Sequence, residues 1–372
     1  MRVEVLSDAA VSPNLRNRDG SACAYVQSAR LGSDVVCLYR RGSAKHGPDG
    51  TLQLQRSCDG GRNWSEPVAA YDRTPRTPPE SVINGALMSQ GNELLAAVAS
   101  LDMVNPNVYV FGEEAAAFPH YTGLCRSADG GRTWDEPVRV DTSPYGGARV
   151  GIATNPYRLA DGALCLPLEV CLDCGPQATA AVVSRDGGCT FSPPQLLVGD
   201  LSGALSLCDA RLTRLSDGTY LMHLWTFEYK GERTLHVHQS RSTYGLVWSS
   251  PEPTNIRGQI SHPLEVEPGL LIAVCNHREP PEGNQLWWSF DQGRTWCEAP
   301  VHLWDVAAER VLGQPAAQAG EACRQEVWNA LPKFAFGTPS LQVLEDGSVL
   351  LLYWATIGGV IHIRACRFKL HP

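Results

Sequence analysis

RSCDGGRNWSEP, at residues 56–67, is the stretch that decides the fold of this chain, because it recurs. RSADGGRTWDEP follows at 126–137, SRDGGCTFSPP at 184–194 and SFDQGRTWCEAP at 289–300. All four copies fit the frame Ser-x-Asp-x-Gly-x-x-aromatic. A single repeat unit cannot bury its apolar faces alone, so four copies in one chain predict a stack of similar units.

The spacing within the repeat is that of a tight turn. An Asp side chain accepts hydrogen bonds from backbone N–H groups just ahead of it, and Gly supplies the positive φ that the turn needs. The aromatic residue then packs back between neighbouring sheets. A degraded fifth copy at 241–248 keeps Gly245 and Trp248 but carries Arg241 and Thr243 at the Ser and Asp positions. We interpret the repeats as folding devices and not as sites of chemistry.

Six short apolar runs, each preceded by a turn signal such as Ser216-Asp217-Gly218, give the number of units. The runs are VVCLY (35–39), ELLAAVA (93–99), ALCLPLEV (163–170), YLMHLW (220–225), LLIAVC (270–275) and VLLLYW (349–354). They are short, bounded by turns and without a long helical period, which is typical of β-strands. Six β-rich units that must stack predict an all-β fold, a six-bladed β-propeller of four-stranded antiparallel blades.

The sixth unit has no Ser-Asp repeat, and the topology explains why. Its third strand, at 360–370, ends the chain, so the fourth strand is expected from the N-terminus, at Arg2–Leu6, which would close the ring. No linker divides the chain, and residues 1–372 are predicted to form one domain. The long insertion at 102–121 is expected to be a lid or rim element, and the stretch at 305–328 a short helix.

The charge and hydropathy of the chain exclude several classes of protein. Its 372 residues include 31 basic and 39 acidic side chains, for a net charge of −8, with no Lys/Arg run suited to nucleic acid or an anionic membrane. No apolar stretch reaches the roughly 20 residues of a membrane span, and the N-terminus has no apolar signal core. The 13 cysteines are therefore interpreted as reduced and mostly buried, and the expected location is cytoplasmic.

Signatures of cofactor and metal sites are absent from the sequence. It has no phosphate loop, no dinucleotide fingerprint and no His-Glu-x-x-His. Cys171 and Cys174 form a lone Cys-x-x-Cys without a second pair nearby, which is weak support for zinc. We expect no cofactor and no metal, and a small molecule or a glycan as the partner.

The four repeats resemble the Asp-boxes of the sialidase (neuraminidase) superfamily of six-bladed propellers, and the resemblance covers nearly the whole chain. It implies an active site on the face opposite the repeats, at the starts of the innermost strands and in the loops between second and third strands. Family sialidases bind the substrate carboxylate with three arginines and use a Tyr nucleophile paired with a Glu, together with an Asp acid/base. They depart in this from the usual two-carboxylate scheme of glycosidases.

Comparison with the family motifs places few of these residues in this chain. TPSLQVLEDGSVLLLYW resembles the Tyr-bearing strand, with Thr338 at the Tyr position. DARLTRLSDG resembles the strand of the Glu partner, with Asp209 at that position, and Trp225 lies at or beside the second arginine's position. GSACAYV (20–26) replaces the Arg-Ile-Pro motif of the first arginine, and Arg278 is the nearest candidate for the third. The resemblance therefore implies the fold without the sialidase catalytic residues.

Polar residues at strand ends on this face form a different candidate set. The predicted catalytic residues are Asp209, Glu169, His262, His46 and Asp102. The predicted substrate-binding residues are Arg40, Arg278, Arg211, Arg149, Trp225 and Thr338. Carboxylates and histidines suit general acid/base chemistry, arginine forks match carboxylates, and a carboxylate near the axis is costly unless it is used. Structural alternatives stay open, such as a loop histidine for His46, a strand cap for Asp102 and a pair with Arg211 for Asp209.

These residues support three hypotheses for the function. The first is a sialidase-like enzyme that acts on a glycoside or another acidic small molecule by general acid/base catalysis, without a Tyr nucleophile. The second is a non-catalytic propeller that binds a glycan or a protein. The third is a lyase, isomerase or cyclase on the same scaffold.

Overall fold

The computed structural model describes residues 1–112, 114–146, 149–172, 175–231, 233–315 and 334–371. Their strands form six antiparallel sheets, arranged as the blades of a propeller. In each blade the first strand in the sequence is innermost, and the inner strands of neighbouring blades pack together around a central axis. The prediction of an all-β, six-bladed propeller is confirmed.

The first half of the chain forms the first three blades. It begins with β1 (Arg2–Ala10) and a one-turn helix, α1 (Asn14–Asn17). Blade 1 contains β2 (Ala22–Leu31), β3 (Asp34–Gly42), β4 (Thr51–Ser57) and β5 (Val68–Tyr71). Blade 2 contains β6 (Glu80–Gln90), β7 (Glu93–Asp102), β8 (His120–Ser127) and β9 (Val138–Arg139). Blade 3 contains β10 (Gly151–Ile152), β11 (Tyr157–Arg158), β12 (Leu164–Cys171), β13 (Gln177–Ser184) and β14 (Gln195–Val198).

The second half forms the other three blades. Blade 4 contains β15 (Leu205–Arg214), β16 (Tyr220–Glu228), β17 (His236–Ser242) and β18 (Glu252–Arg257). Blade 5 contains β19 (Ser261–Glu267), β20 (Leu270–His277), β21 (Gly283–Ser289), β22 (Val301–Asp305) and β23 (Arg310–Pro315). Blade 6 contains β24 (Phe336–Val343), β25 (Val349–Ile357) and β26 (Val360–His371). Two short 3-10 turns lie at Glu114–Ala117 and Ser143–Tyr145, and no helix within the described ranges has the length and apolar character to cross a membrane.

The N-terminal strand closes the ring. β1 pairs antiparallel with β26, from Arg2 opposite His371 to Ala10 opposite Arg364, and so becomes the outer strand of blade 6. A largely buried ion pair reinforces the closure, with Arg364 Nη2 2.5 Å from Asp8 Oδ2. The predicted closure by the N-terminus is confirmed, so the first and last strands of the described chain lie in one sheet.

Two blades depart from the predicted four strands. The inner strand of blade 3 is broken into β10 and β11, which both pair with β12. Blade 5 has β23 as a fifth, outer strand, so residues 310–315 are a strand where a short helix was expected. Residues 316–328 of that expected helix lie outside the described residues.

Each Ser-Asp repeat forms a hydrogen-bonded turn at the end of the third strand of its blade. Ser57 Oγ accepts the backbone N–H of Gly61 at 2.8 Å, while Asp59 Oδ1 accepts the backbone N–H groups of Arg62 at 3.0 Å and Asn63 at 2.9 Å. The copies at Ser127, Ser184 and Ser289 repeat the Ser-to-Gly bond. Third strands begin on one face of the propeller and end on the opposite face. All the repeat turns therefore lie on that opposite face.

The degraded fifth copy forms its turn with a serine that the repeat frame did not include. Ser242 Oγ, one position after Arg241, accepts the backbone N–H of Gly245 at 2.7 Å. Trp248 Nε1 donates to Gly245 O at 3.2 Å, as Trp64 and Trp134 donate to Gly61 O and Gly131 O. The turn therefore survives without its Asp because a serine three residues before the glycine takes over the bond.

Arginines link the repeat turns of neighbouring blades into a belt. Arg56 of blade 1 donates from Nη2 to Gly130 O of blade 2 at 2.5 Å, and Arg126 of blade 2 donates to Gly187 O of blade 3. Leucine side chains of the preceding blade pack under the glycines of the turns. A Cβ added to Gly131 would lie 2.7 Å from the side chain of Leu54. The turns therefore hold adjacent blades together on the face away from the second-to-third strand loops.

The aromatic residue of the repeats is predicted to be a packing group, most strongly where it is most buried. Trp296 is 4% exposed, whereas Trp64 is only partly buried. Trp296→Ala should therefore lower the free energy of unfolding by about 3–5 kcal/mol, and Trp64→Ala by less, in chemical denaturation. Equal losses for the two variants, or a loss of ligand binding by folded variant protein, would contradict the packing role.

Candidate active site

Three inner strands bulge close to the axis. The bulges lie between Ala24 and Gln27 in β2, between Cys208 and Arg211 in β15, and between Gly337 and Ser340 in β24. Within them, φ is +60° at Tyr25, +48° at Asp209 and +47° at Thr338. Bulges redirect side chains, and a positive φ is a strained conformation for these residues, above all for a β-branched threonine. Such strain concentrates at functional sites, which marks this end of the axis as a candidate site.

Glu169 and Asp209 meet at the axis from two different blades. Glu169 lies on β12, opposite Gly151, and its Oε2 accepts the backbone N–H of Asp209 at 2.7 Å. Gln177 Nε2 lies 3.3 Å from the other carboxylate oxygen of Glu169. Both acidic side chains remain partly exposed. The structure thus brings together two carboxyl groups that sequence analysis predicted to be catalytic.

The environment of the two carboxyl groups favours a state in which the pair keeps one proton. Burial raises the pKa of Glu169, and the charge of Asp209 raises it further, against the backbone hydrogen bond from Asp209 and the charge of Arg211. Burial also raises the pKa of Asp209, although Arg211 and Arg278 act in the opposite direction. Two interacting carboxyls titrate as a unit, so the pair holds a proton at a higher pH than an ordinary carboxyl.

Arg211 and His262 lie on the inner strands of blades 4 and 5. Arg211 is buried and donates from Nη1 to Ala153 O at 2.9 Å and Ala210 O at 2.7 Å, while its Nε has no partner among the described residues. His262 Nδ1 lies 3.2 Å from Pro339 O. Burial, and then the charge of Arg211, lowers the pKa of His262 to about 3. The imidazole is therefore neutral at working pH, beside a buried positive charge.

Arg278 is the second buried cation of the site. Its guanidinium carbon lies 4.1 Å from the ring centres of both Phe334 and Phe336, and its Nε donates to Gln259 Oε1 at 3.0 Å. Its Nη1 is buried and has no hydrogen-bond partner in the described part of the chain. An unused donor on a fixed guanidinium is a natural contact for an anionic group.

Tyr25 and His46 form the blade 1 side of the site. The Tyr25 hydroxyl hydrogen-bonds His46 Nε2, and the two rings stack with centres 5.6 Å apart. His46 Nδ1 lies 3.0 Å from the hydroxyl of Tyr109, and Phe111 meets the imidazole edge-on at 4.8 Å. Tyr109 and Phe111 belong to the 102–121 insertion, so this insertion contacts the site at its rim, where the sequence predicted it.

Arg40 is fully engaged by backbone carbonyls. It donates to Val82 O at 2.7 Å, Ala44 O at 2.9 Å and Gly47 O at 2.5 Å. Two of these carbonyls belong to the loop between β3 and β4 that carries His46. Arg40 was predicted to bind substrate, and its observed bonds are those of a residue that shapes this loop.

Three other predicted residues have partners of their own among neighbouring side chains. Asp102 accepts the Tyr121 hydroxyl at 2.8 Å and lies 3.9 Å from Arg76. Trp225 is buried in a cluster with Cys208, Phe227 and Ile260. Arg149 stacks on Phe111 at 5.0 Å, beside His120 in the rim.

Thr338 is buried at its bulge, and its hydroxyl has no hydrogen-bond partner among the described residues. The axial group thus contains six of the predicted residues, Asp209, Glu169, His262, Arg211, Arg278 and Thr338. His46 joins it through Tyr25. Sequence reasoning missed Tyr25, Gln177 and Gln259. The only sequence signal for Tyr25 was its place near the start of an inner strand, in GSACAYV (20–26).

The described residues offer no ready metal site. In the ranges given above, no three His, Cys, Asp or Glu side chains gather in a way that could hold an ion. The arrangement instead combines a proton-holding carboxyl pair with two buried guanidinium groups and a neutral imidazole. This set can bind an anionic molecule and transfer a proton to or from it.

Comparison with known proteins identifies the family of this chain and the structures that share its fold. A family model described as a BNR repeat-like domain matches residues 33–351. A protein of unknown function from Dyadobacter fermentans superposes with a TM-score of 0.71 at 18% identity, covering 99% of both chains. The α-L-arabinanase of Penicillium chrysogenum gives 0.66 at 16% identity and 98% of both chains.

The sialidase of Trypanosoma rangeli gives a TM-score of 0.62 at 14% identity, over 93% of this chain and 54% of that one. This chain therefore spans about half the length of that sialidase. A search of curated protein sequences finds no match. At these identities the likeness is one of fold: this chain forms a propeller like those of the sialidase and the arabinanase.

The raised pKa of Glu169 predicts a pH-dependent stability. A carboxyl that binds its proton more tightly in the folded chain lowers the free energy of unfolding as the pH rises above its ordinary pKa of 4.5. Glu169→Gln removes this loss. The variant should therefore gain stability relative to the native chain between about pH 5 and pH 8, measured by chemical denaturation.

Glu80 provides a matched control with the opposite sign. Burial opposes its ionisation, but hydrogen bonds from Ser100 and Tyr71 and the charge of Arg139 lower its pKa overall. Glu80→Gln should therefore lose stability relative to the native chain as the pH rises through the ordinary range of a carboxyl. Parallel pH trends for the two variants would contradict the assignment of the proton to the axial pair.

Proposed function

This chain belongs to the BNR repeat-like domain family, and we propose that its axial group of residues is the active site of an enzyme. The proposed enzyme hydrolyses a glycoside or acts on another acidic small molecule. The observation that carries the proposal is the Glu169–Asp209 pair. Two acidic residues from different blades approach to a 2.7 Å backbone contact at a strained bulge. A neutral, proton-holding carboxyl next to a second carboxyl is what general acid/base catalysis requires near neutral pH.

In the proposed reaction, the carboxyl pair donates one proton and accepts one proton. The protonated member of the pair gives its proton to the leaving oxygen of the glycosidic bond as the C–O bond breaks. The ionised member accepts a proton from the water molecule that attacks the sugar carbon. The pair ends with the same number of protons as it had before, because one proton has left it and one has entered.

Buried guanidinium groups support an acidic substrate. Arg278 carries a buried Nη1 with no partner among the described residues, and Arg211 carries a similar Nε. Removing a charged donor from water without a partner is costly, so a ligand that bears a carboxylate would gain these bonds on binding. A glycoside of an acidic sugar fits this requirement better than a neutral one.

The proposed chemistry uses no tyrosine nucleophile. Thr338 takes the position where the family resemblance expects the nucleophilic tyrosine, and its buried hydroxyl has no hydrogen-bond partner among the described residues. A hydroxyl needs such a base, or a lowered pKa, to act as a nucleophile. Burial raises the pKa of Tyr25, against the charge of Arg40, so its phenol also stays protonated.

A panel of 4-methylumbelliferyl glycosides, with neutral and acidic sugars, tests the proposal. We expect turnover of at least one acidic member, and a loss of about 100-fold or more in kcat for Glu169→Gln and for Asp209→Asn. Asp102→Asn is the matched control, because Asp102 lies apart from the pair and should keep most of the activity. Full activity in both axial variants, or binding of glycosides without turnover by the native chain, would overturn the proposal.

Arg278 is predicted to select for the acidic group. Arg278→Lys keeps a positive charge but loses the fork that matches a carboxylate. We expect its KM to rise by about tenfold for the acidic glycoside, with a much smaller change in kcat. The opposite pattern, a loss in kcat at constant KM, would assign Arg278 to the chemical step instead.

A further inference from the structure

Tyr25, which neither the family resemblance nor the candidate set included, lies in the bulge of the inner strand of blade 1. We propose that Tyr25 contacts the substrate directly, and that His46 and Tyr109 act on the substrate only through Tyr25, as positioning residues. This inference rests on the proposed function of the axial group, and it adds a residue that sets substrate specificity there.

The position of Tyr25 follows from its place in the inner strand of blade 1. It lies in the bulge of β2, with φ at +60°, and Asp209 lies in the bulge of β15, the inner strand of blade 4, with φ at +48°. Inner strands surround the axis and bulges redirect side chains, so both residues lie at the axis, on opposite sides of the ring. Tyr25 is also partly exposed, as Glu169 and Asp209 are. Tyr25 therefore belongs to the same axial group as the carboxyl pair.

The hydroxyl of Tyr25 is oriented by a series of contacts between aromatic side chains. His46 is buried and uses Nε2 for Tyr25 and Nδ1 for Tyr109, so both ring nitrogens are occupied by phenols. Tyr25 also packs edge-on against Trp354, with ring centres 6.3 Å apart. The ring of Tyr25 is therefore held on two sides, and the hydrogen bond with His46 sets the direction of its hydroxyl.

The electrostatics of the group keep both partners neutral. Burial lowers the pKa of His46, and the charges of Lys45 and Arg40 lower it further. Burial raises the pKa of Tyr25. A neutral imidazole has one donor and one acceptor nitrogen, so it can bridge two phenols without a change of charge. Tyr25 therefore offers a neutral hydrogen bond to substrate, and no proton leaves it during the reaction.

The backbone around His46 is held independently of any ligand. The three carbonyls that Arg40 binds include Ala44 and Gly47, on either side of His46. Asp49 accepts the backbone N–H of Ser43 at 2.9 Å at the start of the same loop. A loop fixed at both ends positions the imidazole before substrate arrives, which is how enzymes limit the entropy cost of orienting a contact.

The first stage of the test needs no substrate. Nitrogen NMR of the histidine rings, with the His46 signals identified by their loss in His46→Gln, reports the protonation of both ring nitrogens. We expect one protonated and one bare nitrogen, unchanged between about pH 5 and pH 9. Tyr25→Phe and Tyr109→Phe should each shift these signals. A ring that titrates in this range overturns the inference.

The second stage uses the 4-methylumbelliferyl glycoside turned over fastest in the panel. Tyr25→Phe should raise KM by about tenfold, because a site built around a hydroxyl loses affinity when the hydroxyl is removed. His46→Gln and Tyr109→Phe should raise KM by less and leave the shape of the pH–rate profile unchanged. Tyr39→Phe is the matched control, a buried tyrosine of the same blade whose hydroxyl donates to Gln55 at 2.7 Å. It should keep the native KM.

Failure of this inference differs from failure of the proposed function. Native KM in Tyr25→Phe, with activity lost in Glu169→Gln, overturns the role of Tyr25 alone. A panel without turnover overturns the proposed function, and the contact is then judged from the His46 ring signals in the presence of the same glycosides. Signals that shift on addition of an acidic glycoside support the contact, and signals that no glycoside shifts overturn it.

Discussion

Pairing of β1 with β26 is the interaction on which the rest of this structure depends. It places the first strand of the chain in the last blade, and β2 of blade 1 packs against β24 of that blade, so the six sheets form a closed ring. Glu169 of blade 3, Asp209 of blade 4 and Tyr25 of blade 1 are far apart in the sequence, and the ring arranges their blades around one axis.

The closed ring separates stability from chemistry by face. On one face, Ser-Asp turns, their glycines and the arginine links between blades are satisfied by local hydrogen bonds. On the other, three bulges hold residues at positive φ, and guanidinium groups are buried with donors unused among the described residues. Strain and unpaired charge of this kind lower stability, and the belt of turns on the opposite face supplies the rigidity that maintains them.

The fold could be predicted from the sequence because its signals are local, within one turn or one hairpin. The carboxyl pair could be predicted for a related reason, because Glu169 and Asp209 are acidic residues on otherwise apolar strands. Tyr25 was missed because a bulge, which no sequence pattern announced, turns it toward the axis. Arg40 and Asp102 have the right chemistry in the sequence, but each has a partner in a distant segment, Val82 for Arg40 and Tyr121 for Asp102, and only the folded chain shows these bonds.

Infrared difference spectroscopy of the native chain against its Glu169→Gln variant measures the protonation of the axial pair directly. Near neutral pH, the native spectrum should contain the carbonyl stretch of a protonated carboxyl, and Glu169→Gln should remove the band of Glu169. The band should disappear from the native chain as the pH is raised further. A native spectrum with only ionised carboxylates near neutral pH would contradict acid/base catalysis by this pair.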